Sequence, residues 1–198
     1  MSNDGFSPIH IASANGYLEI VRELLKVDPR LYQLKGRDEW TLLHYAASRG
    51  RIDVIREMAL SCPESVEDVT IQGETALHLA VKRSQCEAIK ALVELVREMN
   101  KVNILNMKDK LGNSVLHLAS WKKQHQVVEG LVGNGNSAGA LEVNNVNHSG
   151  LTPLDLLLIS PSEAGDREME VILRGAGAMR AGDIVHSGVP SHNLLARG

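Results

Sequence analysis

Aromatic residues are scarce. One Phe, two Trp and three Tyr make up 3% of the 198 residues. The core must therefore come from Leu, Ile, Val and Ala, side chains small enough for closely stacked helices. Cysteine is nearly missing too. Cys62 and Cys86 are too few for a disulfide framework, and a reducing, cytosolic setting suits them best. No apolar run approaches the ~20 residues that cross a bilayer. The opening Met1-Ser2-Asn3-Asp4-Gly5 lacks the basic and apolar regions of a signal peptide. Excess charge of one sign is also absent. The formal net charge is −3 and the isoelectric point about 6.2, which argues against a nucleic-acid-binding surface. Asn147-His148-Ser149 has the form of a glycosylation sequon, a chance match in a cytosolic chain.

What is present is repetition. One phrase recurs as Ser7-Pro8-Ile9-His10-Ile11-Ala12, Thr41-Leu42-Leu43-His44-Tyr45-Ala46 and Thr75-Ala76-Leu77-His78-Leu79-Ala80. It returns as Ser114-Val115-Leu116-His117-Leu118-Ala119 and, with Asp for His, as Thr152-Pro153-Leu154-Asp155-Leu156-Leu157. Copies starting at 7, 41, 75, 114 and 152 lie 34, 34, 39 and 38 residues apart. A period of this size marks a stacked repeat array.

Each unit reads the same way. A turn signal, usually X-Gly, precedes a Ser or Thr suited to cap a helix; the second unit has Glu39 where the others have Gly. Pro8 and Pro153 stand at the first helical position, where a missing N–H costs nothing. The short helix ends near Gly16, Gly50, Ser84 or Lys123. A longer amphipathic helix comes next, with apolar positions such as Ile20, Val21, Leu24 and Leu25, or Ala88, Ile89, Leu92 and Val93. Asp28-Pro29 and Cys62-Pro63 stop two of these helices. The segment Val66–Thr70 leading to the next turn is expected to be extended. One helix pair cannot bury its face alone, whereas stacking makes a continuous core.

The phrase resembles the ankyrin repeat over roughly residues 4–178. The wording of the units narrows the likeness. "GFSPIH", "KGRDEWTLLHYAASRG", "CPESVEDVTIQGETALHLAVK" and "LNMKDKLGNSVLHLASWKKQHQVV" resemble the plant membrane-anchored ankyrin class that includes the accelerated-cell-death and bian-da proteins. The resemblance implies an all-α ankyrin-repeat solenoid of about five helix-turn-helix repeats, at 5–35, 36–70, 71–109, 110–147 and 148–179. Residues 180–198 are expected to form a flexible tail. It also implies a non-enzymatic protein-interaction role in plant defence or stress signalling, in the cytosolic part of a plasma-membrane-associated protein. Two departures stand out: "GFSPIH" reads as an internal repeat, and no membrane segment precedes Gly198. A fragment or a shortened form is expected.

In ankyrin repeats the His ties the Thr hydroxyl and turn backbone together, a structural role that falls here on His10, His44, His78 and His117. A metal ladder is the rival reading. Two imidazoles sharing zinc need nitrogens within ~4 Å, and neighbouring helices lie ~8–10 Å apart. No metal and no cofactor are expected, nor any catalytic centre. Gly133–Gly139 has neither the Lys-Ser/Thr of a P-loop nor the spacing of a dinucleotide fingerprint, and reads as an inserted loop. Leu154-Asp155-Leu156-Leu157-Leu158 resembles leucine motifs that recruit transcriptional partners, but reads more simply as a buried helix.

Binding remains. Positions flanking the phrase hold Arg37, Trp40 and Arg49 in unit two, Lys82 and Arg83 in unit three, and Lys110, Trp121 and Lys122 in unit four. Trp and Arg are enriched at binding hot spots. Acidic residues concentrate instead on the longer helices, for example Glu19, Asp53, Glu57 and Glu94. The expected partner is a protein with an acidic segment, drawn to a basic concave groove. Unit one carries Ile9, Ile11, Ile20, Val21 and Leu24 and does not look like a polar cap. Self-association through it, or early melting of it, is therefore a further expectation, and a self-assembling scaffold is the alternative reading.

Overall fold

The structure, a computed structural model, describes residues 6–133, 141–159 and 164–187. Among the described residues all regular structure is helical, with eleven α-helices and short 3-10 turns. The chain divides into two compact units, residues 1–104 and 105–198.

The first unit holds three helix pairs: α1 (Pro8–Asn15) with α2 (Leu18–Val27), α3 (Leu42–Ser48) with α4 (Ile52–Ser61), and α5 (Ala76–Lys82) with α6 (Cys86–Glu98). The short helices stack α1 on α3 on α5, and α4 stacks on α6. The second unit holds α7 (Val115–Trp121) with α8 (His125–Val132), α9 (Pro153–Ile159) with α10 (Asp166–Gly175), and α11 (Ala181–Ser187). There α7 packs on α9 and α8 on α10.

Local chemistry explains these boundaries. Ser7, Thr41, Thr75 and Ser114 are the N-caps, as their spacing predicts. The short helices end where the chain turns left-handed, at Gly16, Gly50, Ser84 and Lys123, with φ of 79°, 69°, 55° and 53°. Glycine tolerates that conformation; Ser84 and Lys123 adopt it at a cost. Helix α4 buries Val54, Ile55 and Met58, and α6 buries Ala88, Ile89, Leu92 and Val93. Leu154 and Leu157 of the leucine motif are buried in α9, whereas Leu158 is exposed.

Two expectations are corrected. The segment after α4 is not extended throughout. Pro63–Glu67 forms a 3-10 turn, as do Pro29–Gln33 and Val102–Asn106. Pro ends the α-helix but its fixed φ suits a tighter turn. Residues 180–198 are also not wholly a tail. Helix α11 occupies 181–187 with Ile184 buried; the remainder, 188–198, lies outside the described residues. So do residues 134–139 of the inserted loop.

Candidate partner-binding surface

The phrase histidines form the frame on which the candidate surface is built. In each, Nδ1 lies 3.0–3.2 Å from the backbone N–H of the capping residue, Ser7, Thr41, Thr75 or Ser114. An N–H can only donate, so Nδ1 must accept. Nε2 of His10 lies 3.0 Å from the Leu34 carbonyl, that of His44 3.1 Å from Glu74, and that of His117 3.2 Å from Leu151. A carbonyl can only accept, so Nε2 carries the proton. In these three the ring is thus fixed in one neutral tautomer and bridges its own cap to the turn of the following repeat. Burial pushes the His44 imidazole from 6.5 down to about 4, against the opposing pull of the Glu74 and Asp68 carbonyls. His117 is likewise lowered to about 4, again chiefly by burial; His10 is lowered for the same reason. Protonation would place a second hydrogen on Nδ1, facing the cap N–H.

In the fifth repeat Asp155 replaces this His. Its Oδ2 accepts from the Thr152 N–H at 3.1 Å and from the Ala181 N–H at 2.9 Å. A carboxylate has no proton to offer a following carbonyl, so it receives the first amide of α11 instead. Burial raises the Asp155 carboxyl, but the amides of Ala181 and Thr152, the Thr152 hydroxyl and Arg180 outweigh it and hold it below the usual range.

On this frame the turn tips carry most of the variable residues. At the third, fourth and fifth tips Thr70, Asp109 and Asn147 each accept two amides from the turn, such as Leu111 and Asn113 on Asp109 at 2.9 Å. The second tip has Gly36 there, with no side chain to do this. A Cβ on Gly36 would stand 2.6 Å from the Tyr45 hydroxyl. Tyr45 takes the place of Leu or Ile in the phrase and fills that space. Its ring packs 5.6 Å from Phe6 and 5.2 Å from Trp40. At the same tip Asp38 and Glu39 are left-handed, with φ of 57° and 61°. Sequence reading missed this cluster, although Tyr45, Gly36 and Glu39 are each departures from the other units.

The predicted binding residues separate into groups. Arg37, Arg49 and Arg83 are exposed in the first unit, Arg49 and Arg83 as the C-caps of α3 and α5. Lys82 is exposed but committed to an ion pair with the buried Glu74 carboxylate, so it serves the fold. Trp40 is half-buried in the ring cluster. In the second unit Lys110 and Lys122 are exposed, Trp121 is 53% exposed at the end of α7, and Leu111 on the tip is 67% exposed. The acidic residues of the longer helices are largely neutralised where they stand. Arg22 pairs with Glu19 and Glu57, Lys26 with Glu23, Lys90 with Glu87 and Arg56 with Glu94. A further pair, Lys123 with Asp166 at 2.6 Å, ties the start of α8 to that of α10. Among the described residues no cluster of His, Cys, Asp and Glu is arranged to hold a metal ion.

The sequence matches the ankyrin-repeat family model, in three copies, over residues 1–65 and 59–147. The chain belongs to the ankyrin-repeat family. Ankyrin repeats are protein–protein interaction modules, and the α9–α10 pair continues their helical pattern beyond the matched residues. The chain is similar to an ankyrin repeat-containing protein of Arabidopsis thaliana, BDA1, at 35% identity over 116 residues, 56% of this chain and 26% of that protein. It is also similar to the nuclear factor NF-kappa-B p105 subunit of Gallus gallus, at 36% identity over 88 residues, 44% of this chain and 8% of that protein. It therefore spans about a quarter or less of the length of these relatives. Among the described residues no helix is long and apolar enough to cross a membrane.

Proposed function

We propose that this chain is a non-enzymatic protein-interaction module of plant defence or stress signalling, working in the cytosol as part of a membrane-associated system. The likeness to the Arabidopsis protein favours the plant setting. The observation that supports the binding site is the split of charge. Arg22, Lys26, Arg56, Lys90 and Arg174 of the long helices are held in ion pairs, whereas Arg49 and Arg83 stand exposed at the ends of the short helices, as Arg167 does on α10. Lys110 and Lys122 with Trp121 and Leu111 offer a second basic and apolar set. Such a surface favours a protein partner with an acidic segment over nucleic acid, given the net charge of −3. Capture from plant tissue with the native chain and with Trp121→Ala tests this reading. Loss of specific proteins from the variant's capture supports it; an unchanged set removes Trp121 from the site.

A second reading is self-assembly through the first repeat. Ile11 is 52% and Ile20 50% exposed, whereas the residues at the same places in repeats two and three, Tyr45 and Leu79, Val54 and Ala88, are buried. Sedimentation across a dilution series separates this from a monomeric binder.

A further inference from the structure

Arg49 and Arg83 occupy one structural position in consecutive repeats. Each is the C-cap of its short helix, eight residues after the capping Thr41 or Thr75. Helices α3 and α5 pack side by side, and helices in such contact lie about 8–10 Å apart. Both side chains are exposed, and among the described residues neither guanidinium has a hydrogen-bond or ion-pair partner. The neighbouring Lys82 differs, being held by Glu74. Two unpaired forks are thus set at one repeat's interval. An extended peptide advances about 3.3 Å per residue, so three residues span about 10 Å. Successive side chains of an extended segment alternate in direction, but a modest twist or a polyproline-like path of three residues per turn brings positions i and i+3 to one side. Each guanidinium can then take a carboxylate through two parallel N–H bonds.

We propose that the Arg49–Arg83 pair reads an extended protein segment carrying carboxylates three residues apart. This rests on the basic-surface reading above and narrows it to a spacing. Arg37 is not part of the pair; it stands on a turn tip beside Asp38 and Glu39, whose carboxylates repel the same segment.

The test uses labelled peptides of one composition, two Glu in a Gly-Ser background, with the carboxylates at i,i+1, i,i+3 or i,i+5. Titration of the full chain by amide chemical shifts at low salt gives each affinity. The i,i+3 peptide is expected to bind about fivefold tighter than the others, with shifts centred on residues 49 and 83. Arg49→Gln and Arg83→Gln, both exposed and outside the core, should each erase the preference. Equal affinity for all three spacings, lost on changing both arginines to Glu, would overturn the spacing and leave the basic surface standing. Affinities that ignore both arginines would overturn the two together. A single-stranded oligonucleotide that binds as tightly as the i,i+3 peptide would also defeat the proposal.

Discussion

Acid should loosen this protein well above the range in which carboxylates titrate, because its phrase histidines are held neutral. His44 and His117 ionise at about 4 in the folded chain and near 6.5 when unfolded. The unfolded chain therefore binds protons first as pH falls. Their contribution is fully present above about 6.5 and is lost as pH drops through 6.5 towards 4. At ~1.4 kcal/mol per pH unit the gap corresponds to about 3 kcal/mol for each ring, of which about 2 is lost by about pH 5. That is a large share of a typical total stability of ~5–15 kcal/mol. Asp68 runs the other way: burial raises its carboxyl, so acid relieves a cost there, near and above the ordinary carboxylate range. Urea unfolding followed by far-UV circular dichroism across this window measures the slope. His44→Gln should remove about one proton's worth of pH dependence, whatever its stability at neutral pH. A slope unchanged by His44→Gln would refute the claim that burial holds this ring neutral.

Glu39→Gly should raise stability by about 0.5–1 kcal/mol, since a left-handed non-glycine residue is relieved and only the exposed Lys35 pair is lost; a lower melting temperature would contradict the strain at this tip. Gly36→Ala should destabilise by about 1–3 kcal/mol through the Tyr45 hydroxyl, and Tyr45→Leu in the same chain should recover most of it; additive losses in the double variant would dissociate the two residues. Asp155→Ala should cost about 1–3 kcal/mol and speed amide exchange at Ala181, because the carboxylate receives both cap amides; unchanged exchange at Ala181 would deny the link from α9 to α11.

The helix pairs were legible because the signals are local and repeated. A capping Ser or Thr, a His three residues on, and a left-handed residue at the end recur at fixed offsets. The role of the histidines was legible in its local half, the tie to the cap. The carbonyl on the next repeat was not, since it depends on stacking rather than spacing. The 3-10 turns at Pro29–Gln33 and Pro63–Glu67 escaped because Pro marks the end of an α-helix without fixing the conformation of the residues after it. Helix α11 escaped because its sequence carries no phrase; it is fixed by Asp155, whose departure from His is visible but whose second acceptor role is not. The candidate cations follow from position, yet position did not reveal that Lys82 answers a buried Glu74 while Arg49 and Arg83 have no side-chain partner among the described residues. Side-chain pairing of that kind lies in three dimensions only.

On the proposed reading, the exposed basic ends of the short helices carry partner binding and leave the fold alone. Charge reversal tests it most directly: Arg49→Glu with Arg83→Glu, and separately Lys110→Glu with Lys122→Glu, in quantitative capture from plant extract beside the native chain. Proteins captured reproducibly by the native chain should fall about tenfold or more with the first pair. The melting temperature should hardly move, because exposed substitutions cost within ~0.5 kcal/mol. Undiminished capture by both reversed chains, with folding intact, would show that partners dock elsewhere than on these basic ends.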